Sequence, residues 1–452
     1  MSKIFKSISA PLAIALVATP ALAAEPVGRA SPTVEDLKVE INQLTAEVEE
    51  LKKGDSPFTV NGYYRLQATS ESLDETNDNS SSFVDQRLRA KITGDLNDNV
   101  SLVWYGEFDS PWGDKGSCED ETCGKLSADG VGVETKNAYA ELKVPNSDWR
   151  VRAGIQGYGF GKYESFVTND DMSGVSFAGN VGMATLTGGW FKWEENDDDS
   201  ADDVDFYMLS AELHPSEVFH YGLTGAQISN SSQADLNGTK ARTDDNYFGA
   251  YADFTFNKMA YSGSVLYKKS SGRDSDATDG DTYMLNLYAQ RHWSNASLKI
   301  HGIYIPADDS SNGADRFAKN QSGWELNSSN LQIFGTDYYY NNGSQGAKSV
   351  YDAAYQGYGL MGLMVSGDQE LSNDYYLKYG TGYFRVADDA PDSAAQAANG
   401  STLGTEVAAQ VGKKFAGVYD ISLRGSYGFM GDFYGDDPED TYKVVAMVNI
   451  SY

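Results

Sequence analysis

Tyr442-Lys443-Val444-Val445-Ala446-Met447-Val448-Asn449-Ile450-Ser451-Tyr452 closes the 452-residue sequence and reads with a period of two. Successive side chains of a strand point to opposite faces, so Tyr442, Val444, Ala446, Val448, Ile450 and Tyr452 share one face. Lys443, Asn449 and Ser451 share the other. One unbroken apolar face, backed by one that carries polar groups at 443, 449 and 451, suits a strand that separates two media.

The same period runs back to Phe58. Val60, Gly62, Tyr64, Leu66 and Ala68 alternate with Asn61, Tyr63, Arg65 and Gln67. Further on, Leu88, Ala90, Ile92 and Leu96 alternate with Arg87, Arg89, Lys91, Thr93 and Asp95. Comparable segments recur to the end, each near the ~9–11 residues that a tilted membrane strand needs. The connections alternate in length. Short turns such as Asn97-Asp98-Asn99, Asn180-Val181-Gly182 and Asn257-Lys258 are separated by long polar stretches at 69–85, 110–132, 194–203, 229–245, 270–281 and 388–401. Soluble sandwiches also alternate apolar with polar. Short turns on one rim and long loops on the other are what an outer-membrane barrel shows. The fold class expected is therefore all-β, a transmembrane antiparallel β-barrel. It has 18 strands if 172–178 is one and 306–352 is a single loop; 16 is the alternative. Within that loop, Leu331-Gln332-Ile333-Phe334 reads as a further strand or a docked helix.

The N-terminus is different. Lys3 and Lys6, the apolar run at 10–18 and Ala21-Leu22-Ala23 form a signal-peptide pattern over 1–23. The apolar run is too short to span a bilayer. Residues 24–57 are expected in the periplasm, with a short coiled-coil helix at 33–53. Val34, Leu37, Ile41, Leu44, Val48 and Leu51 make its seam, β-branched at each a position and Leu at each d. Ser31-Pro32 caps it and Gly54 ends it. Such a seam nominally favours two strands, and a single amphipathic helix packed on a domain is the alternative. Residues 58–452 form the barrel domain.

The net charge of −30 argues against nucleic acid as a partner, since phosphate binding wants a basic face. Cys118 and Cys123 are expected to form a local disulfide in an oxidising compartment, a metal site being the alternative. His214, His220, His292 and His301 fall in or just after short turns, away from the long-loop rim. That position excludes histidine-based catalysis there. No cofactor is expected beyond divalent cations at the acidic run 196–203, where a plain solvated loop is the competing reading.

From Phe58 to Tyr452 the chain resembles bacterial general porins, and among them the homotrimeric porins of sulfate-reducing and related bacteria. The pieces that carry the resemblance are the coiled segment ahead of Asn61-Gly62-Tyr63-Tyr64-Arg65, and Gln86-Arg87-Leu88-Arg89-Ala90. Arg150-Val151-Arg152-Ala153-Gly154-Ile155-Gln156, Asp170-Asp171-Met172-Ser173-Gly174-Val175 and the terminal strand complete the set. The resemblance implies a homotrimer with one pore per subunit, set among outer-membrane lipid and lipopolysaccharide. Its aromatic-ended last strand resembles the signal read by the barrel-assembly machinery. The coil ahead of the barrel also resembles that of sugar-selective porins, and a coil in the periplasm could touch peptidoglycan. A structural envelope tether is a further reading.

A barrel of 16–18 strands encloses an aqueous channel, so passive diffusion of ions and small hydrophilic solutes is the expected function. A sugar- or anion-selective channel is the alternative. If Leu88 and Ala90 face lipid, Arg65, Arg87, Arg89, Lys91, Arg150 and Arg152 form a basic wall in the lumen. The stretch 157–172 is expected to fold inward, carrying Glu164, Asp170 and Asp171 to face that wall across a constriction. Trp104, Trp149, Trp190 and Trp293 near strand ends read as interface girdles, or as a sugar-stacking track.

Overall fold

The computed structural model describes residues 57–72, 81–112, 133–163, 166–195, 203–231, 243–273, 279–310, 315–317, 330–335, 350–391 and 398–452. The signal peptide, the coiled-coil seam, Cys118, Cys123, Glu164 and acidic residues 196–202 lie outside the described residues. Residues 60–452 form one compact unit, the barrel.

Eighteen strands build it: β1 Phe58–Ser72, β2 Ser81–Asn97, β3 Val100–Pro111, β4 Val133–Lys143, β5 Arg150–Gly159, β6 Asn169–Val181, β7 Ala184–Glu194, β8 Val204–Ser216 and β9 Phe219–Asn230. The second half runs β10 Thr243–Phe256, β11 Met259–Gly272, β12 Gly280–His292, β13 Ala296–Ile305, β14 Leu360–Glu370, β15 Tyr375–Arg385, β16 Thr402–Phe415, β17 Tyr419–Met430 and β18 Thr441–Ser451. Each strand pairs with its sequence neighbours, and β18 returns to β1 with Tyr63 opposite Ser451 and Ser72 opposite Tyr442. Gly62 and Tyr452 exchange both backbone hydrogen bonds, 2.9 and 3.0 Å, at the end of this seam. The sheet therefore has no edge, and its backbone donors and acceptors are satisfied internally, as hydrocarbon demands.

The stretch at 172–178 belongs to strand β6, and the connection between β13 and β14 carries no strand among its described residues; the sheet has 18 strands. The segment from Leu331 to Phe334 is neither strand nor helix; it is a bent, fully buried stretch inside the barrel. The same loop ends in a one-and-a-half-turn helix, α1 Val350–Tyr355, before β14 begins.

Outward-facing positions are apolar and exposed: Leu88, Leu102, Leu209, Leu223, Leu287, Leu363, Val411, Leu423 and Val444 among them. A continuous belt of this kind is stable in lipid and costly in water. Trp104, Trp190 and Trp293 are exposed on the barrel, as members of a girdle would be. At the short-turn rim Phe254 stacks on Tyr261 at 4.8 Å and Phe415 on Tyr419 at 4.9 Å, where a membrane-interface girdle would lie. The two-residue turn Asn257-Lys258 takes positive φ at both positions, 49° and 63°, the mirror-image turn whose twist matches a hairpin.

Candidate functional site

The lumen has two unlike sides. On β1 to β3 and β18 the face opposite the exposed Leu88 carries charged residues in cross-strand pairs. Arg65 on β1 meets Asp85 on β2 at 3.5 Å. Arg87 donates to Asp109 on β3 at 3.0 Å and lies 3.3 Å from Glu107, which also pairs with Arg89. Lys443 on β18 meets Glu71 on β1 at 3.2 Å. Lys91 is half-buried one step further along β2. These side chains are adjacent because opposed residues of antiparallel strands share a face. The arginines are thus partnered by carboxylates of their own wall, and the pairing is local rather than across the lumen.

The expected constriction loop is shorter and greasier than its sequence suggested. Gly157 to Gly159 still belong to β5, and Asp170 and Asp171 lie on β6. Asp171 pairs with Lys136 at 2.8 Å and accepts from Asn137 at 2.7 Å, both on β4. It reaches across Gly157, whose missing side chain leaves that path open. What folds inward, among the described residues, is 160–163 together with 166–168. Its base is closed by a bond from Phe160 N to Thr168 O, 2.9 Å. Phe160, Tyr163, Phe166 and Val167 are all buried. Tyr163 reaches β9, donating to Thr224 at 3.3 Å, and its ring rests against Gly249 on β10, where a Cβ would collide with it. Burial pushes the Tyr163 hydroxyl above the usual tyrosine range, with the Thr224 hydrogen bond pulling the other way, so it stays a neutral donor. The loop backbone is held as well, Ser264 on β11 donating to Lys162 O at 2.9 Å, while Lys162 pairs with Asp253 on β10.

A second inward segment comes from the β13–β14 loop. The backbone N–H groups of Gln332, Ile333 and Phe334 donate to one carboxylate, Glu406 on β16, at 2.6, 3.1 and 2.9 Å. Glu406 is fully buried. Gln332 also donates to Ser426 on β17 at 2.8 Å. The Phe334 ring lies over Gly404, whose φ of +143° and absent Cβ are both required there. Phe317 before this segment and Tyr355 after it both reach Phe166, with ring centroids 5.4 and 5.9 Å away. The two loops therefore share one apolar core with inward residues of β7 to β16, including Phe191, Phe206, Tyr247, Leu266 and Phe384. This corrects the expectation of a lumen kept open by width alone: much of it is filled.

Below these loops, towards the short turns, polar recesses remain. One of about 500 Å3 is lined by Lys143, Arg150, Arg152, Gln156, Tyr158, Asn180 and neighbours. Arg152 donates to Glu141 at 2.7 Å and Arg150 lies 3.8 Å from the same carboxylate, so two guanidinium groups share one anion. Their side chains are 57% and 41% exposed for Arg150 and Arg152, which leaves donors facing the recess. Sequence reasoning found these two arginines but missed Glu406 and Tyr163. His301 is also displaced from its expected place: it is buried mid-strand on β13, stacked on Tyr288 at 4.2 Å. Asp203, at the end of the acidic run, binds Lys192 at 2.6 Å.

Solved structures share this architecture. OpdL of Pseudomonas aeruginosa superposes with a TM-score of 0.57 at 10% identity, covering 87% of this chain and 98% of that one. The fold is that of an integral outer-membrane barrel. OpdF of the same organism, solved in complex with glucuronate, gives 0.56 at 12% identity, with 87% and 98% covered. The outer membrane protein opdK of Pseudomonas aeruginosa gives 0.54 at 12% identity, with 87% and 99% covered. It has also been solved with vanillate. No protein-family model matches the chain, and no curated protein matches it. The resemblance to porins is thereby supported at the level of fold, and the narrower one to porins of sulfate-reducing bacteria stays an expectation.

Proposed function

We propose that the chain is a substrate-selective channel of the outer membrane that passes small anionic solutes bearing a carboxylate. The observation that carries this reading is the occlusion of the lumen by the two loops joined at Phe166, Phe317 and Tyr355. A narrowed lumen favours discrimination, because a solute has to fit past the loops and exchange its water for wall groups. The recess with Lys143, Arg150 and Arg152 offers planar, forked donors to a carboxylate. Two neighbours by fold were solved with carboxylate-bearing molecules, glucuronate and vanillate. General diffusion of ions and small hydrophilic solutes is the competing reading, and it would show little discrimination.

The test is uptake into liposomes holding the purified protein, with glucuronate compared against neutral glucose of similar size. Faster uptake of glucuronate is expected, and charge reversal of Arg150 and Arg152 to Glu should remove the preference. Equal rates for both solutes in the parent protein would overturn the proposal. Planar-bilayer recording of the same sample also counts subunits, since the expected homotrimer closes in three equal steps.

A further inference from the structure

Two of the four histidines of the chain are brought together at the short-turn end of the lumen. His214 lies near the end of β8 and His220 at the start of β9. Regular pairing stops at Leu213–Tyr221 and resumes at Ser216–Phe219, so the strands change register here. The rings meet edge to face with centroids 4.5 Å apart. Glu212 joins them, with its Oε1 3.9 Å from Nε2 of His214. One ligand atom from each of the three residues can be chosen so that all lie within 4.8 Å of one another.

We propose that Glu212, His214 and His220 form a binding site for a divalent transition-metal ion such as Zn2+. Two imidazole nitrogens and one carboxylate oxygen are a donor set that suits Zn2+, and three protein ligands leave a fourth position open. Side-chain rotation closes the remaining distance, because His214 and Glu212 are each about two-fifths exposed and reachable from solvent. Tyr251 lines the same recess as Glu212, with its hydroxyl placed to donate to that carboxylate. An outer partner of that kind fixes the direction of a metal-binding carboxylate. Tyr251 in turn lies beneath Lys162 of the inward loop, whose Nζ is 4.7 Å from the ring centre. A bound ion would add positive charge between two recesses under that loop, one of about 180 Å3 containing Glu212 and one of about 340 Å3 containing His220.

The site goes beyond the proposed transport activity, and its test does not depend on conduction. Full-length protein in detergent is titrated with Zn2+ alone by calorimetry and with Co2+ alone by visible absorption. One ion per chain is expected, with a Co2+ spectrum typical of nitrogen and oxygen ligands. Single changes of His214→Ala or His220→Ala should each weaken binding strongly, and the double change should abolish it. Tyr251→Phe should cost about tenfold in affinity, as loss of an outer partner does. His292→Ala, on a different turn, serves as the control and should leave binding unchanged. Heat-modifiable gel mobility verifies that each variant is a folded barrel. Absence of stoichiometric binding, or binding that survives in the folded double variant, would overturn the proposal.

Discussion

Glu406 ties the inward segment 332–334 to the barrel wall. One buried carboxylate accepts three consecutive backbone N–H groups of a loop that would otherwise carry unsatisfied donors into an apolar core. Hydrogen bonds to a charged group are worth about 1.5–3 kcal/mol each, so removing the acceptor strands several at once. We expect Glu406→Ala to free the β13–β14 loop, seen as faster proteolysis within 306–359 and as larger, noisier single-channel currents. Glu406→Gln keeps the volume but turns one acceptor into a donor, and should give an intermediate effect. Unchanged proteolysis and current in the Ala variant would show that the loop is held elsewhere. No local pattern in the sequence singles out Glu406 among 65 acidic residues, because its partners lie more than 70 positions away. The arginines of β2 were legible because their alternation with Leu88 and Ala90 fixes their face, whereas their carboxylate partners depend on β2–β3 register.

Among the elements, the β10–β11 hairpin offers the cleanest energetic test. Lys258 is held at φ 63°, a region that costs an L-residue with a side chain about 1–2 kcal/mol. Lys258→Gly should therefore stabilise the barrel by roughly 1 kcal/mol, less the extra backbone entropy that glycine loses on folding. Urea-induced unfolding from lipid vesicles measures it; a loss of stability would show that the Lys258 side chain contributes more than its backbone costs. Strands and short turns were readable because each is a local pattern of alternation and turn chemistry. The inward loops were harder. Phe160, Tyr163, Phe166, Phe317 and Phe334 carry no period; Gly249 makes room for Tyr163 and Gly404 for Phe334, and the rest pack on apolar inner faces of distant strands. The same lack of periodicity left Leu331 to Phe334 open between strand and helix when it is a bent plug.

For the whole molecule, the two faces of the sheet obey different solvents. Leu287 lies mid-strand on β12 and is 65% exposed on the outer surface. Leu287→Arg places a charge near the bilayer centre and should destabilise folding into vesicles by about 2–4 kcal/mol. A neutral result would mean that this surface does not meet hydrocarbon. Connectivity carries a second consequence. Every joint of the cylinder but one links chain neighbours and can zip from its own turn. The remaining joint brings residue 63 to residue 451. Closing so long a span costs roughly 3 kcal/mol more in chain entropy than a hairpin loop of about ten residues. We expect that joint to close last, and it is where a folding catalyst would gain most by holding the two ends side by side.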